Sequence, residues 1–407
     1  MVNFPTKVGI VRIFFCLKKI WIVALLLLPT LLQAQRYATM HRRAFVADTH
    51  NDIPSAAIEK QVPFDADLKG KTHSDLARMR SGGVDAQMFS IFCDGAQKNP
   101  FLHAQREIDS VYAWVARNEN EMMLVKNTAD LQKARKTNKL AAMLGVEGGH
   151  MIENNIANLN TLYERGVRYL TITWNNSTSW ATSAADETSL DGAKNSEGKK
   201  GLTAFGQEVI KKMNTLGMMV DVSHAGEQTF WDIMTTTQKP VIASHSCVWN
   251  LCMHRRNLKD DQIKAIARNG GVIFLNFYAG FLDSIYERKR DALFIKWQDE
   301  INELVAKNIQ TDYARMMVAE EHQEEMRAIR PSLDVLMDHL DYIVRLAGID
   351  HVGLGSDFDG VEALPLPLEG VENMPLITQA LLKRGYTKSA IQKILGENFL
   401  RVLKAQQ

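Results

Sequence analysis

The sequence predicts an α/β fold, a (β/α)8 TIM-type barrel with a helical insertion before the last strand. Two observations carry that expectation. Eight short apolar, β-branched runs recur along the chain, at 44–49, 84–92, 140–146, 167–173, 218–223, 240–244, 271–277 and 351–356. Amphipathic helical stretches such as 202–216, 260–268 and 333–346 separate them. Continuous apolar strands alternating with helices imply a parallel sheet covered on both faces, and eight units suggest closure into a barrel. An open doubly wound sheet is the alternative, but no GxGxxG follows the first run.

Two connections are longer than the simple unit requires. Residues 181–201, rich in Ser, Asp, Lys and Gly, read as a loop. Residues 280–330 are charged and Met-rich with helical periodicity, and read as one or two inserted helices. A solvated helical cover is the preferred account of the insert, with a lid or a homodimer surface as the functional one. After Asn373, two further helices at 374–386 and 388–404 are expected to finish the barrel.

The N-terminus reads as an export signal. Lys7, Arg12, Lys18 and Lys19 precede an apolar run from Ile20 to Leu32, followed by Gln33-Ala34-Gln35. That run is shorter than the ~20 apolar residues of a transmembrane helix. Residues 1–34 are therefore expected to be a signal peptide and 35–407 the barrel domain. The protein would be periplasmic or secreted, or membrane-associated if the leader is retained. Removing the leader takes away four positive charges and no negative ones, turning the net charge from +1 to −3. Neither value favours a nucleic-acid partner. Three cysteines would remain, Cys93, Cys247 and Cys252, with no CxxC pair for a cysteine zinc site. Cys247 and Cys252 are near enough in sequence to pair in an oxidising compartment, though the odd count specifies no bridge.

Chemistry-bearing residues recur where apolar runs stop. These ends read Asp48-Thr49-His50-Asn51-Asp52, Val146-Glu147-Gly148-Gly149-His150, Ser223-His224, Ser244-His245-Ser246 and Ser356-Asp357-Phe358-Asp359. In a barrel the C-terminal strand ends converge on the face that carries active sites. Ionisable groups buried there would cost several kcal/mol each if unpaired. A lone His at a strand end is usually a hydrogen-bonded rim residue; five converging ends are harder to explain so. His50 and Asp52, two apart in an extended chain, share a face. His50, Asp52, Glu147, His224 and His245 form a nitrogen and oxygen set suited to zinc or a similar ion. Five ligands exceed one catalytic zinc but suit two ions if Glu147 bridges them. His150 is expected just outside this set and His351 at the opposite barrel end. His254 is set apart from the ligands, and His41, His73, His103, His322 and His339 are treated as surface or core.

At these residues the sequence resembles the membrane (renal) dipeptidase family of zinc peptidases, among the amidohydrolase-like barrels. The matching stretches are Thr49-His50-Asn51-Asp52, Gly145-Val146-Glu147-Gly148-Gly149-His150, Gly166-Val167-Arg168-Tyr169-Leu170-Thr171, Gly201-Leu202-Thr203-Ala204-Phe205-Gly206, Asp221-Val222-Ser223-His224, Ser244-His245-Ser246, Arg255-Arg256-Asn257 and Gly353-Leu354-Gly355-Ser356-Asp357-Phe358-Asp359-Gly360. They run in order from about residue 45 to Gly396-Glu397-Asn398. The resemblance implies a dipeptide substrate and two zinc ions per chain. His50 and Asp52 would hold one ion, His224 and His245 the other, and Glu147 would bridge the two ions, which would clamp a hydroxide between them. Asp357 would touch substrate and carry protons, while Arg256 would hold the substrate carboxylate, which a guanidinium matches in bidentate fashion. The alternative for Arg256 is a surface arginine beside Arg255.

One position departs from the family. Where a His implied to contact the substrate carbonyl follows the fourth strand, this chain reads Thr171-Ile172-Thr173-Trp174. An indole donates one N–H but neither ionises nor accepts. Trp174 and Asn175 are therefore expected at the substrate, with Asn175 or Asn176 as nearby substitutes. The change leaves open another amide or a lactone, such as an N-acyl amino acid, on the same barrel. A catalytically silent surface binding protein is the reading from a different class, and the intact ligand set speaks against it.

Overall fold

The computed structural model describes residues 37–407 except 190, 191 and 193; the expected signal peptide lies outside the described residues. All eight apolar runs contain strands, and a ninth strand joins them. In chain order they are β1 Ala47–Asn51, β2 Ala86–Phe92, β3 Met122–Leu124, β4 Leu140–Glu147, β5 Val167–Thr171, β6 Met219–Asp221, β7 Ile242–Ser246, β8 Val272–Leu275 and β9 Val352–Leu354. All pair in parallel, in the order β1-β2-β4-β5-β6-β7-β8-β9. The added strand, β3, is too short to show a period in sequence. It covers residues 140–142 of β4, below the stretch 144–147 that pairs with β5.

The eight-stranded path nearly closes. Just beyond β1 and β9, Asp52 N–H donates to the Phe358 carbonyl at 2.8 Å and Asp357 N–H to the His50 carbonyl at 3.1 Å. The seam of the barrel therefore runs through candidate site residues. Along β4 the faces alternate: Ala142, Leu144 and Val146 pack among the surrounding helices, while Ala141 and Met143 belong to a separate inner cluster with Met88, Tyr169 and Phe274. Continuing that inner row upward gives Gly145 and then Glu147. At Gly145 a methyl group would lie 2.0 Å from the Tyr169 ring, so only glycine fits beside that phenol.

The helices follow readable signals. Ala204–Leu216 starts on the Thr203 hydroxyl, which accepts from Gly206 N–H at 3.2 Å, and stops at Gly217 with φ 77°. The C-terminal pair differs from expectation. The stretch expected at 388–404 is broken by a π-helical turn, Lys393–Glu397. Within it Gly396 is pressed against the Phe45 backbone, where a methyl group would lie 2.5 Å from the carbonyl oxygen. Loop 181–201 holds the short helix Ala184–Glu187.

The insert needs the larger correction. It is not one or two helices but Ala279–Leu282, Ser284–Lys296, Gln298–Ala306, Thr311–Glu321 and Gln323–Ile329. No glycine or proline lies between 281 and 330 to mark the breaks. One break is made by packing instead: Trp297, buried at the joint, stacks on the His322 ring at 4.3 Å. No helix among the described residues is long and apolar enough to cross a membrane. Cys93, Cys247 and Cys252 are free and buried, so the 247–252 pairing is not formed.

Gly145 yields a direct test of this packing. Gly145→Ala should displace Tyr169 and destabilise the fold by about 1–3 kcal/mol, the usual cost of overpacking. Chemical denaturation measures this; an unchanged midpoint would show that the barrel yields there.

Candidate metal centre

Glu147 ends β4, and its two oxygens face different partners. Oε1 lies 2.8 Å from His224 Nε2 and 3.4 Å from His245 Nε2, while Oε2 lies 3.4 Å from His50 Nε2. Asp52 Oδ2 and Asp357 Oδ1 approach the same His50 nitrogen at 3.4 and 3.9 Å. The His224 and His245 Nε2 atoms are 3.1 Å apart. The structure thus brings together all five expected ligands and Asp357, and all are buried. Two triplets, His50–Glu147–His245 and His50–Asp52–Asp357, have one donor atom from each member within 4.8 Å of the others. His50 Nε2 and Asp52 Oδ1 are buried without a hydrogen-bond partner. Such groups cost about 1–3 kcal/mol each unless something else satisfies them. Nitrogen and carboxylate donors in this arrangement fit a divalent ion.

The rings are aimed from behind. His50 Nδ1 meets the Tyr169 hydroxyl at 2.9 Å, His224 Nδ1 meets Asn175 Oδ1 at 3.2 Å, and His245 Nδ1 meets Ser244 Oγ at 2.7 Å. Ser244 gives its own proton to Asp221 Oδ2 at 2.6 Å, so its oxygen accepts from His245 Nδ1–H. That leaves the Nε2 lone pair facing Glu147. Asp221 also accepts from Thr171 Oγ1 at 2.6 Å and from the backbone N–H groups of Ser223 and Ser244 at 3.0 and 2.8 Å. Asp48 plays a matching part across the seam, accepting from Ser356 Oγ at 2.7 Å and Gln87 Nε2 at 3.0 Å. Burial pushes the Asp48 carboxyl up to about 6. Sequence reasoning assigned roles to neither Asp48 nor Asp221; an acidic residue inside an apolar run was the available signal.

The electrostatics keep the donors apart in character. Burial pushes His224 down to about 3 and His245 well below the usual imidazole range, so both are neutral. Burial opposes ionisation of Glu147, yet His50 beside its Oε2 holds its carboxyl well below the usual range. Burial raises Asp357 to about 7, and Asn276 Nδ2 donates to its Oδ2 at 2.7 Å. His224 and Asp357 hold left-handed backbone, φ 66° and 62°, a strained geometry for such residues and one found at functional sites.

Above the cluster lies a cavity of about 510 Å³. Arg256 lines it, buried, with all three guanidinium nitrogens lacking a partner and its Cζ 5.3 Å from the Phe281 ring centroid. Burial lowers its pKa to about 10, which leaves it charged near neutrality. The surface-arginine account of Arg256 therefore fails. Trp174 and Asn175 line the cavity too, with the indole packed on Phe92 at 5.0 Å. Asn176 is not among the lining residues and donates to the Ser177 carbonyl at 3.3 Å. His150 Nε2 meets the Cys93 carbonyl at 3.1 Å outside the cavity. His351 Nδ1 meets the Gly271 carbonyl at 2.8 Å, before β9. His254 does line the cavity, and its Nδ1 accepts from Arg256 N–H at 3.2 Å. The insert is more than a solvated cover: Arg290, Phe294, Tyr313 and Met316 form part of the cavity wall.

Because Ser244 fixes the His245 ring, Ser244→Ala should weaken divalent-metal affinity about 10–100-fold while the barrel stays folded. Competition with a chromophoric chelator measures this; wild-type affinity would show that Ser244 does not orient the ligand.

Comparison with known proteins agrees with this architecture. Residues 34–407 match the membrane dipeptidase family, peptidase family M19. A relative from Schizosaccharomyces pombe, described as an uncharacterized dipeptidase, is 33% identical over 394 residues, covering 92% of this chain and 83% of its own. The barrel resembles a probable dipeptidase, PvdM, from Pseudomonas aeruginosa, with TM-score 0.73 and 22% identity over 92% of this chain and 98% of that one. It also resembles a metallopeptidase from Rhodobacter sphaeroides bound to a phosphinate mimic of L-Ala-D-Ala, with TM-score 0.72 and 21% identity over 89% of this chain and 99% of that one. The chain belongs to the membrane dipeptidase family of metallopeptidases.

Proposed function

We propose that this metallo-dipeptidase is zinc-dependent and holds two ions per chain on one shared carboxylate. The observation that carries the reading is Glu147, whose Oε1 faces His224 and His245 while Oε2 faces His50. His50 and Asp52 would hold one ion and His224 and His245 the other. When bound, such a pair would supply a hydroxide at neutral pH and a Lewis acid for the scissile carbonyl.

The remaining steps belong to the chain. Arg256 offers an unpaired, buried guanidinium to the C-terminal carboxylate of a short peptide. Asp357, with a carboxyl near 7, is suited to take a proton from the attacking water and return it to the leaving amine. Asn276 holds its Oδ2, so Oδ1, the atom nearer His50, is the one free for proton transfer. Insert residues form part of the cavity wall, and the shielding from water they give would strengthen polar contacts inside. The leader at 1–34 adds export to the reading, as a periplasmic or secreted enzyme, or a membrane-associated one where the leader is kept.

Trp174 supports a second substrate class. Its indole gives the wall beside His224 an apolar face, which would suit the acyl group of an N-acyl amino acid. Both classes carry the carboxylate that Arg256 would bind. A silent binding protein has less support, because two buried donors of the ligand set lack partners without an ion.

Arg256→Ala should lower kcat/KM for a dipeptide at least about tenfold, since charge-assisted hydrogen bonds contribute about 1.5–3 kcal/mol. A dipeptide amide should be a poor substrate already, and the substitution should cost it little more. Equal loss on acid and amide would mean that Arg256 supports the cavity rim instead. Efficient N-acyl amino acid cleavage without dipeptide cleavage would favour the second class.

A further inference from the structure

The insert does more than cover the cavity, because one of its helices is clamped over one end of it. Helix Thr311–Glu321 is tied to the barrel near both ends. At its start, Gln310 donates to Asp94 Oδ2 at 3.1 Å, and its own carbonyl oxygen accepts from Asp312 and Tyr313 N–H at 2.9 and 3.0 Å. Near its end, Glu320 pairs with Lys60 at 2.6 Å. Tyr313 lies between these ties and lines the cavity. Lys60 and Asp94 follow β1 and β2, so these ties set the helix on the β1 side of the cavity, where the Ser55 hydroxyl donates to the Asp52 carbonyl at 3.0 Å. Tyr313 thus projects from the insert into the cavity wall that also holds Asp52.

The direction of a substrate follows from the charges. Arg256 lies in the loop after β7, the strand that carries His245, and lines a small cleft together with His224 and Ser246, so it lies on their side of Glu147. Asp52 lies beside His50, on the other side. A peptide whose carboxylate meets Arg256 and whose scissile carbonyl lies over Glu147 must send its first residue towards Asp52. There it meets Tyr313.

We propose that Tyr313 is the stop that limits substrates to one residue before the scissile bond, making the insert the device that selects dipeptides over longer peptides. This rests on the dipeptidase reading with Arg256 as carboxylate anchor. The tie at both helix ends gives the stop its stiffness, because a wall that swings away would not discriminate. Specificity here is a difference between two substrates at one site, so the useful quantity is a ratio.

The test measures kcat/KM for release of C-terminal Ala from Ala-Ala and from Ala-Ala-Ala, in the zinc-loaded full chain. Wild type should strongly favour Ala-Ala. Tyr313→Ala should raise the tripeptide-to-dipeptide ratio at least about tenfold, within the range that steric selection supplies. Tyr313→Phe keeps the ring and should leave the ratio near wild type, which separates the wall from its hydroxyl. Tyr313→Leu retains apolar packing under the helix and should give an intermediate rise, serving also if the alanine variant does not fold. An unchanged ratio in the alanine and leucine variants would overturn the proposal, as would a phenylalanine variant that shifts as far as alanine. A wild type that cleaves no dipeptide overturns the parent reading instead.

Discussion

A carboxylate with both oxygens among imidazole nitrogens is the constraint on which the rest depends. Glu147 is buried, where an isolated charge would be prohibitive. His50 beside one oxygen favours its ionised form, while the neutral His224 and His245 turn ligand nitrogens towards the other. No strand alone supplies such surroundings. They require β1, β4, β6 and β7 to end at one height, which a parallel barrel provides. The inner row of β4 delivers the carboxylate, and Gly145 below it leaves room for the phenol that steadies His50.

The support extends outward in buried polar groups that are paired. Asp221 collects four donors and fixes Ser244, which fixes His245. Asp48 ties β1 to Ser356 just before Asp357, so the barrel seam and Asp357 share one set of hydrogen bonds. Strain at His224 and Asp357 is held by these neighbours. By contrast, the Arg256 guanidinium and His50 Nε2 lack partners, and they face the cavity or the ligand cluster. Paired groups build this frame, and these two unpaired ones lie where a substrate or an ion would bind.

Much of this was legible in the sequence because the barrel writes itself as a period. Apolar runs located the strands, and the residues after them named the site. What stayed hidden lacked such a period. β3 is three residues long, and Asp221 and Asp48 look like strand residues until their partners, distant in sequence, are seen. The insert has no Gly or Pro to mark its turns, so a tertiary contact, Trp297 on His322, sets one of them. Its place over the cavity, with Tyr313 in the wall, depends on packing that periodicity does not encode. Trp174 was visible as a departure, whereas the division between Asn175 on the cavity and Asn176 away from it needed the fold.

The central claim is that Glu147 joins two ion sites, and metal counting tests it most directly. Metal-stripped wild type and Glu147→Gln would be titrated with zinc by calorimetry, with bound metal checked by elemental analysis and folding by circular dichroism. The account predicts two zinc ions per wild-type chain and, in the folded variant, loss of at least one along with hydrolysis. Two ions held by Glu147→Gln with wild-type affinity, or a wild type that saturates at one, would contradict it.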